Sequence, residues 1–252
     1  MSAEQRQQRI AAYLHKAEFA SLEELARHVG ASVSTVRRDL TTLAATGSLR
    51  RTHGGARLIP APSEEFAFSS RNTHQLEEKD AIGRACAELI QPGQSVILDA
   101  GTTIYHVARH LEERVPQIIT NSLPVANLFG ATNRLEVIVS GGVIYPRLGV
   151  LVGPLAVEAF TKIHADVAIL SGGGLTLGGV SNSHGLLIDI QRAMIKAAHR
   201  VIFCFDNTKF GRQSVLPLCG LDCIDTVVTD AKAPRELVAQ LRKKNIEVIV
   251  AR

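Results

Sequence analysis

The chain has no tryptophan, and aromatic residues make up only 4% of its 252 positions. The core is therefore left to Ala, Val, Ile and Leu, which suits α/β layers better than an aromatic-rich β sandwich. Cysteine is equally scarce. Cys86, Cys204, Cys219 and Cys223 are scattered, no CxxC pair occurs, and Cys219 and Cys223 have no histidine pair beside them. A disulfide scaffold or zinc ribbon does not fit, so free thiols in a reduced, cytoplasmic setting are expected. No apolar run approaches the ~18–20 residues of a membrane span, and the opening "MSAEQRQQRI" is polar. Neither a signal peptide nor membrane attachment is expected, and no metal or cofactor is called for.

The formal charge of +4 is unevenly placed. Residues 1–60 hold nine Lys/Arg against five acids, and the rest of the chain holds nineteen of each. All the net positive charge sits in the first quarter, as in a domain that faces a polyanion.

That quarter has a helical pattern. "EQRQQRIAAYLHK" carries Ile10, Tyr13 and Leu14 on one face. "SLEELARHVG" opens with Ser21 and has Glu24 three positions on, the spacing of a capping box, and closes on Gly30. "ASVSTVRRDLTTLAATG" starts from Ser32 and buries Val33, Val36, Leu40 and Leu43. Two helices, a tight turn and a third helix make a helix-turn-helix. The third helix presents Ser34, Thr35, Arg37 and Arg38 on its first turns, where hydroxyls and guanidinium forks can reach base edges and phosphates. "SLRRT" and "ARLI" then read as a hairpin about His53-Gly54-Gly55, a wing that carries Arg50, Arg51 and Arg57.

A linker is expected at 60–76, where Pro60 and Pro62 break the pattern and Phe66 and Phe68 have the character to dock on a domain. DNA-binding residues 1–59 precede it and an α/β domain of 77–252 follows. In that domain apolar runs alternate with helical ones: "SVILD", "QIIT", "LEVIVS", "ADVAILS", "RVIFCFD", "DTVVTD" and "IEVIV". Strands that are apolar throughout mean a mainly parallel sheet covered on both faces.

Polar and glycine-rich stretches follow the strands. Asp99, Gly101, Thr102 and Thr103 come first, then Thr120, Asn121 and Ser122. Gly141 and Gly142, Gly172 to Gly174, and Asp206 with Lys209 complete the set. Ligands of open α/β sheets bind at that edge, where backbone N–H groups and helix N-termini favour anions. A phosphorylated small molecule fits such a rim.

Two stretches carry a resemblance. "STVRRDLTTLAATGSLRRTHGGA" (34–56), and later "LDAGTT", "TNS", "SGG", the 172–174 glycines and "DNTKFG", resemble the DeoR family of bacterial transcription regulators in order, over nearly the whole chain. The resemblance implies DNA contact by Ser34, Thr35, Arg37 and Arg38, with Arg51, His53 and Gly54 in the wing. It implies a sensor domain related in fold to ribose-5-phosphate isomerase and glucosamine-6-phosphate deaminase. Asp39 belongs to the pattern and is read as orienting an arginine, since its charge would repel phosphate. The chain departs from the family at "NSHGLLIDIQRAM", with Gln191 ahead of Arg192, which points to a different effector.

Several residues remain open on sequence alone. Asp99 is a catalytic base or, in preference, a hydrogen-bonding acid. Lys209 is a phosphate clamp, a proton carrier or a surface lysine. Asp206 positions Lys209 or caps a turn, and His184, near Asn182, contacts ligand or solvent. Asp166 and Asp189 are structural, Lys196 is exposed, and His106 and His110 lie on a solvated helix face. The reading is a DNA-binding regulator, a repressor of carbohydrate genes, with no catalytic residues. Its effector site comprises Asp99, Gly101, Thr102, Thr103, Asn121, Ser122, Gly141, Gly142, Gly172, Gly173, Asp206 and Lys209. Its partners are a double-stranded operator, a phosphorylated sugar and further copies of itself, as a dimer or tetramer. The rivals are a sugar-phosphate isomerase or deaminase with an appended DNA-binding domain, and an oligomerisation domain with a vestigial pocket.

Overall fold

The computed structural model describes residues 2–17, 19–45, 49–52, 54–58, 68–111, 114–130 and 135–252. The chain divides into two compact units, residues 1–65 and 66–252.

In the first unit the helices are α1 (Ala3–Ala17), α2 (Leu22–Val29) and α3 (Val33–Ala45). The strands are β1 (Phe19–Ser21), β2 (Leu49–Thr52) and β3 (Gly55–Leu58), with β3 pairing antiparallel to both others. The capping box forms: Glu24 N–H donates to Ser21 Oγ at 3.2 Å, and Ser21 N–H donates to the Glu24 carboxylate at 2.8 Å. Gly30 ends α2 at φ 64°, a left-handed position that favours glycine. Ser32 Oγ accepts from Thr35 N–H at 3.2 Å and so starts α3. Ile10, Leu14, Leu25, Val29, Val36 and Leu40 bury together with Leu49 and Ala56 of the hairpin. Each fully buried Leu or Ile contributes about 1.5–3 kcal/mol. Val33 and Leu43 pack only at the border of that core.

The second unit begins with α4 (Phe68–Asn72) and α5 (Leu76–Glu88). It continues through β4 (Ser95–Leu98), α6 (Thr102–Ala108), β5 (Gln117–Thr120), α7 (Leu123–Phe129) and β6 (Glu136–Val139). A hairpin of β7 (Val143–Tyr145) and β8 (Val150–Val152) leads to α8 (Pro154–Thr161) and β9 (Ala165–Leu170). Next come β10 (Gly174–Thr176), β11 (Gly179–Asn182), α9 (Gly185–Lys196), β12 (Ala198–Phe205) and β13 (Leu216–Cys219). The chain closes with β14 (Thr226–Thr229), α10 (Arg235–Lys243) and β15 (Glu247–Val250).

Among the described residues the main sheet has seven strands in the order β15-β14-β12-β9-β4-β5-β6, every pair parallel. Alternation along each strand explains the apolar runs. Val96 and Leu98 face the core under α5, α6 and α7, whereas Ile97 faces the one under α8, α9 and α10. The strands progress outward from β4 in both directions, so β4 and β9 flank the point where the order reverses. That is where ligands of doubly wound sheets bind. Residues 68–76 lie in the second unit. Phe68 sets its ring edge-on to Tyr105 at 5.6 Å, and its N–H donates to the Arg147 carbonyl at 3.2 Å. Phe66 lies outside the described residues.

Candidate functional site

On α3, Ser34, Arg37 and Arg38 are exposed and Thr35 is half-buried. The hydroxyls of Ser34 and Thr35 each lie 2.9 Å from Ser32 Oγ, so a hydroxyl cluster surrounds the helix N-terminus. Asp39, one turn after Thr35, is buried. It accepts from Arg6 Nε at 2.6 Å, Arg6 Nη2 at 3.1 Å and Gln7 Nε2 at 3.2 Å. Burial alone would raise its pKa; the hydrogen bonds from Arg6 and Gln7 outweigh it and hold the carboxyl below its ordinary value. The arginine that Asp39 orients thus comes from α1, which fixes α3 against α1. Gly54 is exposed at the turn of the hairpin. Arg51 contributes its backbone to β2; its side chain, like the whole of His53, lies outside the described residues.

At the C-terminal edge of the sheet, Asp99 follows β4 at the reversal point and is 1% exposed. Its Oδ2 accepts from Gln191 Nε2 at 2.6 Å and Ser171 N–H at 3.4 Å. Gln191 also donates to the Ser171 carbonyl at 2.9 Å and accepts from Asn182 Nδ2 at 2.9 Å. Asp99 Oδ1 is buried and forms no hydrogen bond of normal geometry with the described residues. Burial raises the Asp99 pKa to about 6, against the lowering pull of Gln191, the Ala100 and Ser171 N–H groups and the Arg71 charge.

Thr120, Asn121 and Ser122 are fully buried. Ser122 caps α7 through Val125 N–H at 3.4 Å, and Asn121 Nδ2 donates to the Leu151 carbonyl at 3.1 Å. Asn121 Oδ1 is another buried acceptor without a hydrogen bond among the described residues. Thr102 and Thr103 open α6 and are buried, and Gly101 precedes them at φ 141°. After β12, Asp206 accepts from Thr208 N–H at 3.0 Å and caps a short 3-10 turn, Asn207–Lys209. Lys209 is half-buried. Burial lowers its pKa, opposed by Asp206 and reinforced by Arg212 and Arg71.

The edge does not bring all of these residues together. Strands stand about 4.8 Å apart, so Asp99 and Asp206, two strands apart, are separated by about 10 Å across the sheet, and Asp206 also lies three residues further along the strand direction. Gly141 lies four strands from Asp206, which at the same spacing is about 19 Å. Gly142 and Gly173 have packing reasons of their own. A Cβ would stand 2.6 Å from the Val152 carbonyl oxygen at the first and 2.3 Å from Ser214 Oγ at the second.

Two basic residues were missed. Arg71, on α4, acts electrostatically on Asp99, Lys209 and His184. Lys79, 4% exposed, donates from Nζ to the Arg71 carbonyl at 2.6 Å and the His74 carbonyl at 2.5 Å. Burial lowers its pKa to about 8. Their sequence signals were weak: Arg71 falls in the expected linker, and Lys79 stands in "EEKD" like any surface lysine. The histidine pair needs correction. His106 is buried, not solvated, and His110 Nε2 lies 2.9 Å from Asp80 Oδ1, because α6 packs that face on α5. Lys196 is exposed, and Asp166 accepts from Ser95 N–H at 2.8 Å.

A winged helix-turn-helix joined to a doubly wound α/β domain with a polar rim defines a ligand-responsive DNA-binding regulator. Residues 6–61 match the DeoR-like helix-turn-helix domain, and residues 74–231 match the DeoR C terminal sensor domain. The chain belongs to the DeoR family of transcription regulators. It is 31% identical to the glycerol-3-phosphate regulon repressor of Escherichia coli, over 98% of this chain and 99% of that one. It is 31% identical to the transcriptional repressor GlcR of Bacillus subtilis, over 99% and 97%, and 29% identical to the regulator GolR of Listeria innocua, over 98% of each. Among solved structures, ribose 5-phosphate isomerase A from Neisseria gonorrhoeae is 14% identical with a TM-score of 0.40, over 55% of each chain. The eIF2B delta subunit from Chaetomium thermophilum is 17% identical with a TM-score of 0.45, over 62% of this chain and 56% of its own. This chain spans about half the length of those two structures. No helix among the described residues is long and apolar enough to cross a membrane.

Proposed function

We propose that this protein is a cytoplasmic repressor whose affinity for its operator is set by a phosphorylated sugar or polyol, which it binds and releases unchanged. The observation that carries the effector class is the pairing of acceptors and cations on one sheet edge. Among the described residues, Asp99 Oδ1 and Asn121 Oδ1 are buried acceptors without a hydrogen bond of normal geometry, and a buried acceptor left unmet costs about 1–3 kcal/mol. Ligand hydroxyls would supply those donors. Lys209, half-buried beside Asp206, supplies positive charge for a phosphate. A hydroxyl-rich anion satisfies both requirements, and the name of the glycerol-3-phosphate regulon repressor agrees with that class.

Ser34, Thr35, Arg37 and Arg38, with the wing residues Arg51, His53 and Gly54, read the operator. A homo-oligomer, dimer or tetramer, would set two such units on paired half-sites. The rim contacts are Asp99, Gly101, Thr102, Thr103, Asn121, Ser122, Gly172, Gly173, Asp206 and Lys209, with Gly141 and Gly142 on the far flank. By linkage, operator and effector alter each other's affinity by one common factor.

The test is operator binding by fluorescence anisotropy on the gene's own upstream DNA, at fixed salt, against a panel of sugar and polyol phosphates. One phosphate should shift the affinity and be recovered chemically intact, and Lys209→Ala should lose that response while still binding DNA. Consumption of the phosphate would turn the reading toward an isomerase or deaminase.

A further inference from the structure

Asp99 and Asn121 leave neighbouring strands at the same level. Leu98 of β4 and Thr120 of β5 are register partners, so the next residues of the two strands start about 4.8 Å apart. Both side chains turn to the side of the sheet that carries α9 and β8. Asp99 Oδ2 accepts from Gln191 of α9, and Asn121 Nδ2 donates to the Leu151 carbonyl of β8 at 3.1 Å. The two residues are 1% and 0% exposed. Each keeps its Oδ1 without a hydrogen bond among the described residues.

The Gln191 amide beside them has no donor left to turn to these oxygens. Its Nε2 gives one N–H to Asp99 Oδ2 at 2.6 Å and the other to the Ser171 carbonyl at 2.9 Å. Its Oε1 accepts from Asn182 Nδ2 at 2.9 Å. The same partners fix how the amides lie. Gln191 turned over would set an oxygen against the Asp99 carboxylate, and Asn121 turned over would set one against the Leu151 carbonyl. What remains is a pair of acceptors on adjacent strand ends, one of them half of a carboxylate.

The chemistry of the missing donor follows from that pair. A hydroxyl gives one proton and brings lone pairs that need donors of their own. A primary ammonium gives three protons and brings no lone pair. With hydrogen bonds of about 2.9 Å, the tetrahedral angle between two of its N–H bonds sets their acceptors about 4.7 Å apart, close to the spacing of neighbouring strands. Its charge also offsets that of a carboxylate removed from water, which a hydroxyl does not.

We propose that the effector carries a primary ammonium group, held jointly by Asp99 Oδ1 and Asn121 Oδ1. The inference rests on the effector class proposed above and narrows it to a phosphorylated amino sugar or amino polyol with a free amine. At these two oxygens the amine takes the place of the hydroxyls named there.

The experiment titrates the full chain by calorimetry with glucosamine 6-phosphate and galactosamine 6-phosphate. Each is compared with the hexose 6-phosphate that has a hydroxyl in place of the amine, and with its N-acetyl derivative. One free amine should bind about tenfold or more tighter than both of its counterparts, the scale of a charge-assisted hydrogen bond. In Asp99→Asn, which keeps the shape and removes the charge, the preference over the hydroxyl sugar should shrink to about threefold or less. In the parent the same preference should fall between pH 7 and pH 5, as Asp99, with its pKa at about 6, takes up a proton. The phosphate is common to both sugars, so its own titration cancels in that ratio. Circular-dichroism melting shows whether Asp99→Asn folds, and the pH series reads Asp99 in the parent in either case. A parent that binds no phosphorylated probe overturns the effector class, and this inference with it. A parent that binds a hexose 6-phosphate or an N-acetyl derivative as tightly as the amine leaves the class standing and overturns the ammonium. A preference for the amine that survives in Asp99→Asn, or stays level from pH 7 to pH 5, places the amine elsewhere and overturns the assignment to this pair.

Discussion

Gln191 Nε2 donates to Asp99 Oδ2 at 2.6 Å and joins α9 to the strand end at which the sheet reverses its order. An amide at this position neither adds nor removes charge. It leaves the fully buried carboxylate to be stabilised by N–H donors and by Arg71, and these do not cancel the cost of burial. The sequence had marked Gln191 as a departure from the family pattern, and the structure places it against the acid of "LDAGTT". Asp99 thus ends an Asp–Gln–Asn chain, in which Asn182 donates to Gln191 at 2.9 Å.

Asp99 should make stability fall as pH rises through the mildly acidic range. Its folded pKa, about 6, stands above the ordinary 3.8, so the folded state binds the extra proton between those values. The associated stability is present below about pH 4 and lost by about pH 6, and amounts to about 3 kcal/mol. Urea unfolding of the ligand-free protein between pH 4 and 7 measures it as the difference between the parent and Asp99→Asn. Parallel curves for the two proteins would contradict the buried, ionising Asp99.

His106 should behave in the opposite way. Burial, then Arg109 and Lys79, push its pKa down against the pull of Asp80, and neither ring nitrogen has a hydrogen bond among the described residues. The folded state holds the neutral ring, so its stability is present above about pH 6.5 and drains away below as the unfolded chain takes up a proton. His106→Leu removes an unmet polar group and this titration together. It should be no less stable than the parent at pH 7, and more stable by about 1 kcal/mol or more at pH 5. A lower Tm for the variant at pH 5 would mean that the imidazole has a partner.

The seven parallel strands were legible because both faces are covered, which makes each strand continuously apolar whatever its partner. The helix-turn-helix was legible because cap, turn glycine and apolar stripe are all local signals. The small sheet of β10, β11 and β13 was not, since its strands are three or four residues long and β13 joins from 34 positions beyond β11 (Asn182 to Leu216). For α4 the determinants lie outside the segment, in Lys79, Tyr105 and Arg147. At the site, Asp99 stood out by its place after a strand. Arg71 and Lys79 could be recognised only once the chain returned α4 to the same edge. His106 looked solvated because helical spacing says which residues share a face, not what covers it.

Asp39 should prove a stability residue of the DNA-binding unit rather than a reader of bases. It is 4% exposed and bound by Arg6 and Gln7 of α1. Asp39→Ala leaves the Arg6 guanidinium, itself only 16% exposed in its side chain, without its carboxylate. Removing either partner of the pair should destabilise the unit, since the other is left without its counter-charge. Thermal unfolding should show the first unit melting earlier, and Arg6→Ala should lose a similar amount. The double variant should lose less than the sum of the two, because the same interaction is removed only once. Strict additivity would show that the pair carries no coupling.

Arg37 and Arg38 should separate specificity from charge. Both are exposed on the first two turns of α3, where guanidinium forks reach either guanine edges or phosphates. A phosphate contact that is lost lowers the slope of log affinity against log salt by about 0.9, and weakens specific and random DNA alike. A base contact that is lost costs about 1–3 kcal/mol on the operator and leaves random DNA and the slope nearly unchanged. Measured singly to Ala across a salt series, the two positions can therefore be told apart. The double variant should lose its footprint on the operator while it still binds the effector. An intact footprint would place the reading of the operator elsewhere than on α3.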